Sequence, residues 1–571
     1  MRRRSILPVL SCSLALALPT TGQAGGTRTW DVSSHADFDK GETEGAAIEA
    51  SGRLTVGFLP ARGELPGTTA FSCLATKSGA LIGTADAATI QRIVAGKRKR
   101  GRDAEPADEG KKGTKDKAAK KTGDDELPRL AVEQVAKLEG VVVSAMVELA
   151  GGDIVAATLP GGKLVRVDGK GKVTPFATLA VEQIWGLLIH QGRLLVATGP
   201  KGELWSLSLA GKDAKLVLDV DEKDLLSLLA VGNEVVVGVA PQAKLYRVTK
   251  DQGGELLHDF SGDEVRALAL TRTGLVAAVN TFADRKLGSL DALTKTLDRT
   301  SLVGQPPAGA LEGERSIGAD GALYHVDLGP KRDLDRAIEA PWETWLNREK
   351  QYFSDVLALD DVGTVLVSSS DDAKIYRVRG PRDVATVADL EERQATALCR
   401  VPKGPVIAAA AHGAAVYELG AAPAKKARYV TDILDTSQPA SFGSVRLRGN
   451  GPLVLRARTG PTEEPDKRWT EWRTIAMVRD DGAQRGSLSG LPHRRYLQLD
   501  VGLGAPDAEL RAIEVFYAPE NLPPLLTEVD VARPDHDEAE REPKVTISWK
   551  VDARDDDELV YDVRVRPEGG S

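Results

Sequence analysis

Chemistry-bearing residues are scarce. Among 571 residues there are three cysteines and seven histidines, and none combine at the spacing of a zinc site. The histidines are scattered: His35, His190, His258, His325, His412, His493 and His536. His325 and His412 fall at or beside two equivalent strands, where satisfied buried imidazoles are expected. There is no Gly-x-Ser-x-Gly elbow, and Ser487-Leu488-Ser489-Gly490 reads as a hairpin turn. The pairs Gly161-Gly162 and Gly253-Gly254 have no helix after them to hold a phosphate. The acidic runs Asp360-Asp361, Asp371-Asp372 and Asp552 with Asp555-Asp556-Asp557 do not match a twelve-residue calcium loop closing on Glu, so solvated turns are expected. No catalytic residue, metal site or cofactor is therefore assigned. The net charge of −8 lacks the concentrated basic face that nucleic-acid phosphates require.

Long apolar runs are also missing beyond the N-terminus. There, Arg2-Arg3-Arg4 precede an apolar stretch from Ile6 to Leu18 and the small-residue site Gly22-Gln23-Ala24. This is the pattern of an export signal, 1–24, with cleavage between Ala24 and Gly25. A lipid anchor at Cys12 and a retained membrane anchor are the alternatives, although the apolar run falls short of the roughly 20 residues a span needs. The expected location is outside the cytoplasm: periplasm, outer-membrane surface or extracellular. Removal of the signal leaves Cys73 and Cys399. Sheets pack about 10 Å apart and a disulfide needs Cα atoms within about 7 Å. Two buried free thiols are the expectation, and a ring-locking bridge is the alternative.

What the chain has in abundance is a repeat. An apolar run, a glycine turn, a second apolar run and a strand with an aromatic or branched residue recur seven times. Gly79, Gly151, Gly192, Gly232, Gly274, Gly363 and Gly404 mark the turns, and four of the six intervals are 40 to 42 residues. The third strands carry Leu164-Val165, Leu204-Trp205, Leu245-Tyr246, Leu323-Tyr324, Ile375-Tyr376 and Val416-Tyr417, with Thr89-Ile90 as a degenerate first copy. This periodicity predicts an all-β chain with a seven-bladed β-propeller over 45–420, eight blades being the alternative. The aromatic members are expected to wedge neighbouring blades apart. Strands at Ala46 to Glu49 and Arg53 to Val56 are the candidates for closing the ring.

Two insertions lengthen the repeat. Segment 97–127 carries eleven Lys or Arg against eight Asp or Glu and is expected to be disordered. Its Lys97, Arg98, Lys99 and Arg100 could at most touch an anionic surface peripherally. Segment 282–318 leaves from the opposite rim, which also collects the blade-to-blade connections and is the preferred binding face. After Gly420 the rhythm stops. Longer strands over 428–519 predict a β-sandwich, and 525–571 begins a further β unit with strands at Val545 to Trp549 and Leu559 to Val565. That last piece is either part of a longer chain or weakly stable by itself. In the sandwich, Trp469 and Trp472 with Arg456 and Arg458 suggest a cation–π ladder. Trp469, Trp472 and Tyr496 are the residues singled out for ligand contact should this face stack a sugar.

These blades resemble the WD40-like and NHL-like propellers of secreted bacterial proteins, although no blade ends in Trp-Asp and Leu204-Trp205-Ser206 comes nearest. Segment 545–567, with Trp549, is similar to the opening strands of fibronectin type III modules. The resemblance implies a binding or assembly role. The expectation is a monomeric, non-enzymatic scaffold that presents rim loops to a protein or a cell-surface polysaccharide. A carbohydrate-binding sandwich is one alternative. A propeller glycosidase, lyase or lactonase is another, and it would need inward carboxylates or histidines where the inner strands read Val, Leu, Ala and Ile.

Overall fold

The computed structural model describes residues 26–99, 129–249, 253–272, 274–282, 318–359, 363–420, 424–480, 482–520, 524–532, 546–552 and 559–564. The segment expected to act as an export signal, with Ala24 and Gly25, lies outside them, as do Arg100 and most of both insertions. The described chain is all-β apart from short helices such as His35–Phe38 and Asp335–Glu339.

Among the described residues, seven four-strand antiparallel units follow one another. Their first strands are Ala70–Thr76, Val142–Glu148, Gln183–His190, Asp224–Val231, Glu264–Leu270, Phe353–Ala358 and Gln394–Arg400. We number the units one to seven in that order. Each first strand touches that of the next unit, and that of unit seven touches that of unit one. The second strands have lost alternation: Ile154–Leu159 and Val406–Ala411 are buried at every position. The reason is that each sheet is packed on both faces. Seven apolar clusters result, each filling the gap between two adjacent units. Outer strands such as Val173–Thr178 keep exposed positions.

The circle closes differently from expectation. The outer strand of unit seven is Ala61–Glu64, paired with Ala415 to Glu418. The hairpin Ala46–Glu49 and Arg53–Val56 lies elsewhere: its first strand extends unit six along Asp383–Asp389 and its second meets Glu509 and Leu510. Four residues reading Ala-Arg-Gly-Glu carry no apolar run, so periodicity passes over them. Their register is set by packing, since a Cβ on Gly63 would crowd Leu130, Val132 and Val416.

The two thiols are also not free. Cys73 in unit one and Cys399 in unit seven form a disulfide with Cα atoms 5.7 Å apart. The 10 Å spacing belongs to stacked sheets, whereas radial sheets converge toward their axis, where the first strands lie. Bridge and closing strand thus seal the same seam at its inner and outer ends.

The C-terminal strands share one core. Their pairing runs Glu42–Glu44, Ala427–Val430, Arg494–Leu503, Leu434–Asn450, Glu509–Pro519, with Leu453–Gly460 and then Arg473–Ile475 beside Arg494–Leu503, Ala483–Ser487 and then Met477–Asp480 beside Leu434–Asn450, and Arg28–Val32 beside Glu509–Pro519. Phe38, Tyr429, Phe442, Leu455, Leu499 and Val515 pack in that core. Strands from 28–44 thus belong to this body, which sequence reading began at 428. Farther on, Leu525–Ala532 pairs with Thr546–Asp552. Residues 559–564 form no strand, so the strand expected from Leu559 to Val565 is absent over its described part. Lys97 to Lys99 prolong the third strand of unit one, Thr89–Lys99, with Arg98 and Lys99 paired to Leu130 and Arg129, instead of opening a disordered segment.

The seam should dominate stability. The bridge closes 326 residues, so the double variant Cys73→Ala/Cys399→Ala should lose roughly 2–5 kcal/mol by chain-entropy reasoning. Urea unfolding of oxidised protein and variant measures this.

Candidate functional site at the axis

All seven first strands carry a bulge near their start. The register against the second strand slips at Phe71, Ser144, Trp185, Leu226, Arg266, Ser354 and Thr396. A bulge re-aims the extra side chain, and the clusters show where. Phe71 and Ala85 of unit one, Val142 and Leu159 of unit two, Trp185 of unit three, and Leu226 and Ala240 of unit four make a single apolar cluster, with Val141 against it. Side chains from four units can meet only at the axis. Phe71 and Val141 remain partly exposed, so the cluster forms an apolar arc at the axial mouth.

The other arc, on units five to seven, is polar. Asn280 Nδ2 donates to Glu264 Oε1 (2.9 Å) and to the Phe353 carbonyl (3.0 Å), while its Oδ1 accepts from the Phe353 N–H (2.8 Å). Asp355 accepts from the N–H groups of Leu398 and Val356, both at 2.8 Å. Burial pushes its carboxyl up to about 6, partly opposed by those two N–H bonds and by Arg266. Burial also holds the Tyr352 phenol well above its usual range. Burial disfavours the Arg266 charge, but Tyr352, Glu264 and Asp355 together outweigh it and keep that guanidinium above its ordinary value. Two carboxylates, Glu264 and Asp355, thus stand on first strands that sequence reading described as Val, Leu, Ala and Ile, each one taken up by bonds to neighbouring groups. The one available signal is position: each bulged residue stands six to nine places before its turn glycine.

Much of this polar chemistry is spent between units. Thr396 Oγ1 donates to the Ala70 carbonyl, Ser72 Oγ to Val143 (2.8 Å), Ser227 Oγ to Val265 (3.2 Å), and Trp185 Nε1 to Asp224 Oδ1 (3.0 Å). With the Asn280 and Asp355 bonds, these side chains bridge six of the seven seams, the one between units two and three excepted.

The aromatics of the third strands do similar work farther out. Tyr376 and Tyr417 are fully buried. Tyr246 donates to Glu222 (3.2 Å), Tyr376 to Gln351 (2.6 Å) and Tyr417 to Glu392 (2.5 Å). The register slip that follows Leu164, Leu204, Leu245, Leu323 and Ile375 follows Ile90 in unit one. The first copy is therefore Ile90-Gln91, one residue later than sequence alignment put it.

In the C-terminal body the guanidinium of Arg458 lies 4.3 Å from the Trp472 ring centre and 5.3 Å from that of Trp469, and Arg456 lies 5.7 Å from Trp472. Trp469 is buried over Gly460, where a Cβ would collide with the indole. Arg456 pairs with buried Asp500, which Arg428 Nε also reaches at 3.1 Å. Tyr496 is buried opposite Gly460, with Arg495 5.1 Å from its ring centre. The three aromatics named for ligand contact thus carry arginines on or near their rings.

The remaining candidates stand apart. His325 stacks on Trp345 at 4.1 Å, and His412 sits in the tight turn that follows the second strand of unit seven. Asp360, Asp361 and Asp555 to Asp557 lie outside the described residues. Among the described residues there is no cluster of three His, Cys, Asp or Glu fit to hold a metal, and no helix long and apolar enough to cross a membrane.

No family model matches the chain, and no curated protein matches it. Among solved structures it is similar to a streptogramin B lyase structure: TM-score 0.41, 10% identity, covering 64% of this chain and 98% of that one. It is also similar to YCF48 bound to D1 peptide: TM-score 0.37, 11% identity, covering 63% and 96%. Both neighbours are β-propeller proteins.

Two outcomes follow from this geometry. A carboxyl raised from 3.8 to about 6 binds more protons folded than unfolded, so its contribution to stability falls as pH rises from about 4 to 6 and is flat above. Asp355→Asn removes that titration. Its destabilisation relative to wild type should therefore shrink by about 2 kcal/mol between pH 4.5 and 7.5, read from urea midpoints at the two values. Arg458→Ala should cost about 1–2 kcal/mol for two ring contacts, with Arg458→Lys recovering part of it in the same assay.

Proposed function

We propose that this chain is an exported, non-enzymatic binding protein, a seven-bladed propeller joined to a β-sandwich, that engages a protein partner at its axial mouth. The observation that carries this reading is the apolar arc of Phe71, Val141, Trp185 and Leu226, drawn from four units, with Arg266 on the opposite arc. Apolar and aromatic side chains beside an arginine, at a partly exposed centre with a polar surround, have the composition of a protein-binding hot spot.

Topology supports the choice of rim. The bulges lie where first strands begin and second strands end. The 282–318 insertion leaves at that same end, between Gly274–Phe282 and Ala319–Asp327. Its base reaches the mouth: the rings of Phe282 and Tyr352 are 6.1 Å apart, and the Phe282 N–H donates to Asp263 Oδ2 at 2.8 Å. The use of Asp355 and Asn280 as inter-unit braces favours binding over catalysis. The disulfide favours an oxidising compartment and hence the export reading of 1–24. A partly fibronectin-like end and a bacterial, periplasmic or surface setting belong to the same proposal.

Phe71→Asp places a charge in the arc at a partly exposed position. In pull-downs from the native envelope it should lose the partners that wild type recovers, while near-UV circular dichroism stays unchanged. Undiminished recovery, or turnover that survives Phe71→Asp but not Asp355→Asn, would overturn the proposal.

A further inference from the structure

A second site lies away from the axis, where the hairpin 46–56 meets the outer edge of unit six. Its cleft of about 390 Å³ is lined by Glu49, Arg53, Arg377, Arg379, Arg382 and Asp383, with Ala50, Ser51 and Val384. Four guanidinium groups face two carboxylates, a surplus of two positive charges on a protein whose net charge is −8.

Among the described residues the local bonding leaves donors without a partner. Arg377 Nη2 reaches both Glu49 oxygens (3.2 and 3.1 Å) and Asp383 Oδ1 (3.5 Å), yet its Nε is buried with no hydrogen-bond partner. Arg53 Nη1 reaches Glu509 at 3.5 Å, and its Nε is likewise buried and unpartnered. Among the described residues Arg379 makes a 3.2 Å bond to Thr364 Oγ1 and a 3.7 Å pair with Asp383. Arg382 stands exposed in the turn. Those two Nε atoms are closed off from the cleft, and the donors an incoming group would meet are the Nη groups of Arg53, Arg377 and Arg379, whose side chains are 43%, 20% and 49% exposed, together with exposed Arg382.

From this we infer that the cleft binds a tetrahedral oxyanion, a phosphate or sulfate group carried by a small molecule. Such a dianion matches the charge surplus, and its several acceptor oxygens suit guanidinium groups that converge from different strands. The alternating Arg377 and Arg379 share one face of Lys374–Gly380, and the turn brings Arg382 round beside them. The site does not depend on the reading of the axial mouth.

Isothermal titration of the full chain at pH 7.5 and constant ionic strength tests it, with inorganic phosphate, sulfate and chloride as probes. Saturable binding of phosphate, sulfate or both, with chloride silent, is expected, and the preferred ion identifies the source. Arg379→Ala/Arg382→Ala should weaken that binding at least tenfold. Arg166→Ala, in unit two, should leave it unchanged and so controls for a general loss of charge. Arg379→Lys/Arg382→Lys guards against misfolding, and should bind more weakly than wild type but better than the alanine pair. Equal heats for all three ions, or full-strength binding by the alanine pair, overturns the site.

Discussion

A circle of sheets is only as strong as the place where the chain's early and late segments meet. Every other seam here joins units linked directly by the chain, but the seam between units seven and one joins residues more than three hundred positions apart. Non-local contacts of this kind cost loop entropy before they return any packing energy. The molecule answers at two radii: Cys73–Cys399 among the first strands, and Ala61–Glu64 hydrogen-bonded outside Ala415–Gly420. Between them lies an apolar cluster of Ile82, Ile407 and Val416, no different in kind from the other six. With this seam sealed, the seven gaps become equivalent and no inner edge is left free.

The second governing feature is the bulge repeated at the start of each first strand. It turns one extra side chain out of the alternating pattern, so the axis is lined by residues of varied type: Phe, Ser, Trp, Leu, Arg, Ser and Thr. Apolar members stand on units one, three and four, and of the polar ones Thr396 bonds the backbone of the neighbouring unit, as Asn280 and Asp355 also do. An amide or carboxylate that caps a neighbour's backbone N–H satisfies a group the bulge would otherwise orphan. The asymmetry between the arcs distinguishes the mouth from a uniform hub, and it arises from single residues set in an almost invariant backbone.

Much of this could be read from residue order. The turn glycines stand at or between the first and second strands of all seven units, and the apolar runs on either side of them are strands. Trp469, Trp472, Arg456 and Arg458 could be recognised as a ladder because strand alternation and a Trp-x-x-Trp spacing are local rules. The failures share a cause. Ala61–Glu64, Arg28–Val32 and the bulged residues owe their places to partners distant in the chain. Thr89-Ile90 was aligned one residue early because only the cross-strand register reveals the slip at Ile90.

Residue order by itself determined that this chain is all-β, built on a repeat of about 40 residues with a different β body after it, since periodicity and turn chemistry act over a few neighbours. Only the tertiary structure decided that two cysteines 326 residues apart would bond, which strand would close the circle, and which side chains would gather at the axis or around the arginine cleft. Those outcomes depend on the convergence of radial sheets and on the register between distant strands, neither of which exists until the chain has folded.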